Sequence, residues 1–281
     1  MKKVSIQGIK GAFHEEAAWN YFGNKTEIIP QLTFSSLVNS VQEGTADYGV
    51  MAVENTISGT IHANLNLIRQ STLKITGEVF LRIKQNLAVL PGTDFNNIKQ
   101  VQSHYMAINQ CRKFFQGFPE IELIDAEDTA LSMQIIAENE LKNVGVIGSQ
   151  LAADLYGLQI LAESIETNKK NYTRFLILEK EDKNPIQKFD KASLAMMLPH
   201  EQGSLAKILS IIAFYNIDLS KIESVPVIGE PWHYLFYLDV LFENSEDYFN
   251  MLNAVRPLVD ELTIMGEYPS GKQSFNQIHK S

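Results

Sequence analysis

The segment Tyr48-Gly49-Val50-Met51-Ala52-Val53 constrains the fold of this chain more than any other. It is apolar at almost every position rather than at alternate ones, so a strand built from it needs cover on both faces. Such a strand belongs at the centre of a sheet, and it stops at the polar run Glu54-Asn55-Thr56. The surrounding sequence supplies the cover. Val4-Ser5-Ile6-Gln7 reads as a strand stopped by Gly8 and Gly11, and Phe13, Ala17, Ala18 and Phe22 then follow helical spacing. A second helix is expected from Ser35, whose hydroxyl is placed to cap it, to Gly44. Strand-like stretches at 87–90, 100–103, 121–124 and 144–147 alternate with helical patterns at 107–115 and 129–138. Alternating βα units predict an α/β fold.

A chain of 281 residues is long enough for two or three folding units. From Glu179 to Asp190 seven of the twelve residues are charged and Pro185 breaks any helix, which predicts an exposed linker over 181–190 after a first domain spanning 1–180. Beyond it come a strand at 192–198, a helix at 205–215, two strands joined by Gly229-Glu230-Pro231, a helix at 245–259 that Pro257 should kink or end, and a strand at 262–268. The order βαββαβ is that of a ferredoxin-like domain, assigned to 191–269, with a polar tail at 270–281.

The net charge of -9 argues against nucleic acid as a partner, because binding phosphates needs a basic face. An anionic ligand would have to be held by a few local donors. One cysteine, Cys111, allows no internal disulfide, and the first residues enter a strand without an apolar leader, so a cytoplasmic location is expected. No apolar run nears the roughly 18 residues that cross a bilayer, and no membrane partner is expected. The histidines at 14, 62, 104, 200, 233 and 279 show no paired ligand spacing, so no metal is predicted. Gly8-Ile9-Lys10-Gly11 does not continue to the third glycine of a dinucleotide loop, and Ser58 has no glycine two residues before it, as a hydrolase elbow requires.

Four polar clusters remain: Gln7-Gly8 with Gly11, Asn55-Thr56 with Gly59, Ser103-His104, and Thr173-Arg174. All but the last close a strand, where α/β sheets gather their ligands, so the clusters are expected to converge on one cleft. Taken singly, a strand threonine, a turn asparagine and a helical glutamine are ordinary structural residues.

Taken together they resemble a family. Gln7-Gly8-Ile9-Lys10-Gly11-Ala12-Phe13, Glu54-Asn55-Thr56-Ile57-Ser58-Gly59-Thr60, Ser103-His104 with Gln110-Cys111, Ile147-Gly148-Ser149 with Ala152-Ala153 and Tyr156-Gly157-Leu158, and Asn171-Tyr172-Thr173-Arg174-Phe175 resemble successive motifs of prephenate dehydratases, in the family's order. The likeness covers about the first 180 residues. Leu198-Pro199-His200-Glu201-Gln202-Gly203-Ser204-Leu205 and Glu223-Ser224-Val225-Pro226 then resemble the ACT regulatory module.

The resemblance implies a two-lobed catalytic domain similar to type II periplasmic binding proteins, with prephenate in the cleft and no cofactor. The chain is expected to cross between lobes near 80–84 and 163–168. The family's chemistry assigns Thr173 as donor to the departing hydroxyl, with Asn55, Gln110 and Ser103 orienting the substrate. Gly11, Ala12, Phe13, Thr56, Gly59, His104, Arg174 and Phe175 are the further candidates for substrate contact. Strand alternation points Arg174 away from Thr173, which makes a structural ion pair an equal reading. Phenylalanine is the implied effector, held near Gly203, Ser204, Leu205, Glu223, Ser224 and Pro226 between paired ACT domains of a homodimer or homotetramer. The chain departs from the family at Lys10 (commonly proline), His14 (serine), Thr56 (serine), Tyr105-Met106 (Pro-Gln) and Val225 (arginine). Arogenate dehydratase and a non-catalytic cytosolic amino-acid sensor are the alternative readings.

Overall fold

The structure, a computed structural model, describes residues 1–180, 188–227, 229, 233–272 and 274–275. Most of the expected linker, with Pro185, lies outside the described residues, as do Glu230, Pro231 and the end of the polar tail.

The first lobe contains β1 (Lys3–Gln7), α1 (Phe13–Phe22), β2 (Glu27–Gln31), α2 (Phe34–Glu43), β3 (Tyr48–Asn55), the short β4 (Gly59–Thr60), α3 (His62–Gln70) and β5 (Leu73–Arg82). The second contains β6 (Asn86–Val89), β7 (Gln100–His104), α4 (Tyr105–Phe115), β8 (Glu122–Ala126), α5 (Thr129–Glu138), β9 (Val144–Gly148), α6 (Gln150–Leu155) and β10 (Gln159–Ala162). The chain then returns as β11 (Tyr172–Lys180) to complete the first lobe's sheet, ordered β2-β1-β3-β11-β5 with β4 beside β3. The second sheet runs β10-β6-β9-β7-β8.

As its composition requires, β3 is central, with Val50, Met51, Ala52 and Val53 buried. It is parallel to β1 but antiparallel to β11, because β11 re-enters the sheet from the other lobe. The cap of α2 differs from expectation: Thr33, not Ser35, accepts the Ser36 N–H at 3.1 Å, while the Ser36 hydroxyl accepts the Thr33 N–H at 3.2 Å. This reciprocal pair satisfies two otherwise orphaned donors.

Between lobes the chain passes at 83–85 and 163–171. These crossings run side by side. Ile83 N–H donates to Asn171 O at 2.8 Å, Ile165 N–H to Gln85 O at 2.7 Å, and Gln85 N–H to the buried Glu166 carboxylate at 2.9 Å. The lobes also meet at Gly11, whose carbonyl accepts the Ser149 hydroxyl at 2.8 Å. A Cβ on Gly11 would lie 2.8 Å from the Ala152 backbone, and its φ of +88° is one that side chains disfavour.

The C-terminal unit contains β12 (Lys191–Met197), α7 (Ser204–Phe214), β13 (Asp218–Pro226), β14 (Tyr234–Leu241), α8 (Ser245–Val255) and β15 (Glu261–Tyr268). Its antiparallel sheet is ordered β13-β14-β12-β15, the ferredoxin-like arrangement. Pro257 lies in a 3-10 turn that follows α8, so the helix does stop early. This sheet packs directly on the first lobe: Leu73, Ile75, Leu176 and Leu178 share one buried core with Tyr237 and Met265.

Gly266 makes that contact possible, since a Cβ there would come within 2.2 Å of the Ile75 carbonyl oxygen. Gly266→Ala is therefore expected to lower stability by about 1–3 kcal/mol, the usual cost of overpacking, in a denaturant unfolding experiment. Wild-type stability would show that the two sheets are not pressed together.

Candidate active site

A cavity of about 510 Å³ lies between the lobes. It is lined from the first lobe by Ala12, Phe13, His14 and Asn55, from the second by His104 and Gln110, and from the return strand by Thr173 and Phe175. Sequence positions more than 160 residues apart thus converge on it, as the strand-end clusters led one to expect.

One chain of amides organises the cavity. The Asn55 Oδ1 accepts backbone N–H groups from Ile57 at 2.9 Å and Ser58 at 3.0 Å, which fixes the direction of its amide. Its Nδ2 must then face inward, where it donates to Thr173 Oγ1 at 2.9 Å and Asn171 Oδ1 at 2.8 Å. Asn171 Nδ2 donates to Gln110 Oε1 at 3.0 Å, and Gln85 Nε2 approaches the same oxygen at 3.3 Å. Polarity set at one end is handed along the chain. Two donors are left over at its margins, the Thr173 hydroxyl hydrogen and the Gln110 Nε2, neither with a protein acceptor among the described residues. Asn55 itself has no capacity left for a ligand.

The ionisable carboxyl groups among the described lining residues are those of Glu127 and Asp128, so any attraction for an anion has to come from helix ends and neutral donors. α1, α4 and α5 all begin in its lining, at Phe13, Tyr105 and Thr129. The N-terminus of α5 is capped by Asp128 and that of α4 by His104 Nδ1, which accepts the Met106 N–H at 3.3 Å. No side chain caps α1, and the Phe13 and His14 N–H groups have no acceptor among the described residues, although the first turn already holds a buried carboxylate, Glu15, which accepts the Gly11 N–H at 2.6 Å. Among the described residues the lining contains no lysine or arginine. His14 is not a substitute cation, because burial pushes its imidazole down to about 4. Cys111 is buried, and burial pushes its thiol up to about 12, so it supplies no thiolate.

Several expected contacts stand elsewhere. Ser103 is buried and its hydroxyl donates to Ile147 O at 2.6 Å, tying β7 to β9 rather than facing the cavity. Arg174 points from the opposite face of β11 into a buried ion cluster. Its Nε meets Glu78 at 2.6 Å, its Nη1 meets Asp239, and Lys191 completes the group at 2.9 Å from Glu78. Thr56 is exposed and bridges the second crossing, donating to Lys170 O at 2.9 Å and accepting the Tyr172 N–H at 3.0 Å. Gly59 is exposed with φ +79°, where it lets the β3–β4 turn close, and Gly11 serves the lobe contact described above. Asn171 and Gln85 were not singled out by sequence reasoning, and His14 entered it only as a departure from the family's serine. Asn171 did stand within the quoted motif, two residues before Thr173.

Of the candidate effector residues, Gly203 has φ +84° at the start of α7, followed by Ser204 and Leu205. Glu223, Ser224 and Pro226 lie on β13, an edge strand. Glu223 accepts the Thr60 hydroxyl at 2.7 Å, and Lys221 reaches Glu54 at 3.0 Å, so β13 touches the turn that carries Asn55. Val225 packs against the core shared by the two sheets.

Comparison with known proteins agrees with this geometry. The family model described as prephenate dehydratase matches residues 4–183. A bifunctional chorismate mutase/prephenate dehydratase from Aquifex aeolicus is 34% identical over 270 residues, covering 95% of this chain and 73% of that protein. The crystal structure of a prephenate dehydratase from Arthrobacter aurescens in complex with L-Phe has a TM-score of 0.87 at 26% identity, covering 99% of this chain and 97% of that one. A solved structure of a quorum-quenching acylase is also similar, with a TM-score of 0.86 at 25% identity and coverage of 96% and 98%.

The Arg174 cluster yields a stability test. Burial alone would raise the Asp239 carboxyl, but Arg174 and Lys191 outweigh it and hold it below its ordinary value of 3.8. A depressed carboxylate contributes its stability above the ordinary value and loses it as pH falls through the folded one. Asp239→Asn is expected to cost about 3–5 kcal/mol at pH 7, with the gap to wild type closing below about pH 4. Equal stability at pH 7 would contradict this role.

Proposed function

The chain belongs to the prephenate dehydratase family, and on that premise we propose that it turns prephenate into phenylpyruvate, carbon dioxide and water within the cleft between its lobes. The observation that carries the mechanism is the Asn55–Thr173 hydrogen bond. The ring carboxylate leaves as carbon dioxide, the electrons of its C–C bond complete the aromatic ring, and the C–O bond to the ring hydroxyl breaks. Thr173 donates its hydrogen to that departing oxygen, making water. Asn55 Nδ2 offsets the partial charge that builds on Thr173 Oγ1, and a proton from solvent replaces the one given up in the same step, so the threonine is never fully ionised. Gln110 Nε2 orients the substrate, and a carboxylate docks at the uncapped start of α1 beside Ala12 and Phe13. Phe175 forms the apolar floor, and His104 holds α4 in place at the rim. The acylase fold neighbour does not redirect this reading, because a threonine without an adjacent base is a poor acyl acceptor.

The C-terminal unit is the regulatory module in this reading, an ACT-type domain that binds phenylalanine near Gly203, Ser204, Leu205, Glu223, Ser224 and Pro226. The exposed edge of β13 favours pairing with a second copy, since an unpaired edge seeks a partner. The Thr60–Glu223 and Lys221–Glu54 contacts give an occupied effector site a mechanical route to Asn55.

The test is phenylpyruvate formation from prephenate, with arogenate in parallel and phenylalanine added. Turnover of prephenate, reduced about 10²–10³-fold by Thr173→Val and lowered by phenylalanine, is the expected result. Preference for arogenate would change the substrate and keep the mechanism. No turnover of either by folded protein would refute the enzyme reading in favour of a sensor.

A further inference from the structure

Parallel pairing of β1 with β3 ends at Ile6 opposite Val50. Two residues on, the N–H of Ala52 is taken by His14 Nε2, at 3.4 Å. A buried backbone N–H needs an acceptor, so Nε2 carries the lone pair and the ring's one hydrogen sits on Nδ1. The ring cannot turn easily. It stands edge-on to Phe175, with centroids 5.0 Å apart at 84°, and packs at a tilt on Phe34 at 5.6 Å. Nδ1 has no acceptor among the described residues, yet it is not one of the polar atoms sealed away from solvent. His14 lines the cavity from the first turn of α1. The cavity must receive an anion with no lysine or arginine among its described lining residues and with Glu127 and Asp128 on its wall, which makes each oriented neutral donor count.

On the reading of the cleft given above, we propose that the His14 Nδ1–H donates a hydrogen bond to a carboxylate of the substrate, making His14 a substrate-contacting residue. The imidazole stays neutral at working pH because burial pushes it down to about 4. It therefore acts as an oriented dipole rather than a charge, like the open N–H groups of α1 beside it.

Two substitutions separate this contact from a purely structural role. His14→Asn keeps an N–H near the position of Nδ1 and cannot reach Ala52. His14→Gln reaches Ala52 with its carbonyl and loses the donor at Nδ1. If His14 holds the substrate, His14→Gln raises KM for prephenate about 10- to 100-fold with little change in Tm, the worth of one hydrogen bond to a charged group. His14→Asn keeps KM within a few-fold of wild type and lowers Tm. Wild-type KM in His14→Gln, or equal impairment of the two variants, would overturn the proposal. Calorimetric titration of wild type and His14→Gln with prephenate keeps the contact testable apart from turnover. Loss of turnover in wild type itself indicts the enzyme reading, whereas equal prephenate affinity in the two proteins indicts the His14 contact.

Discussion

Alternation of side chains along β11 is the constraint on which the molecule turns. This strand is hydrogen-bonded to β3 on one side and β5 on the other, so it cannot slide without breaking both ladders. Successive residues on it must face opposite ways. Thr173 therefore faces the cleft, and Arg174 faces the C-terminal sheet, where Glu78 and Asp239 hold it. One rigid strip thus carries the reacting hydroxyl on one face and the domain contact on the other. The neighbouring strand repeats the device, for Asn55 works in the cleft while Glu54 meets Lys221 from the C-terminal unit.

The cleft's chemistry follows from direction more than from charge. An acidic protein that handles a dianion has no lysine or arginine among the described lining residues, which include the carboxylates Glu127 and Asp128, and its donors are amides, hydroxyls, a neutral imidazole and a helix end. Such donors help only when they already point the right way. Two backbone N–H groups settle the direction of Asn55, and the chain through Asn171 to Gln110 inherits it. Thr173 Oγ1, having accepted from Asn55, keeps its own hydrogen for the ligand.

Much of this is legible in the amino-acid sequence, and the gaps have physical causes. The unbroken apolar run of β3 and the βαββαβ order are local periodicities, so they could be read directly. β5 could not, because Glu78 looks like a solvated charge until Arg174 and Lys191 arrive from distant strands. β2 was hidden by Pro30, which sits on an edge strand where a missing N–H costs little. Thr173 and Gln110 stood out through their motifs. Asn171 and Gln85 did not, since they lie on the two crossings and meet Gln110 only once the lobes are assembled. Ser103 is a plausible ligand by type, yet a neighbouring carbonyl has already claimed it, and of the two readings that strand alternation left for Arg174 the structure shows the ion pair.

The central claim is that Asn55 acts by orienting Thr173 rather than by touching the substrate. A double-mutant cycle on kcat/KM, with Asn55→Ala, Thr173→Val and the combined variant, tests it most directly. The account predicts strong non-additivity, with Asn55→Ala costing little once Thr173 has lost its hydroxyl. Additive losses would mean that the two residues act independently, and would contradict it.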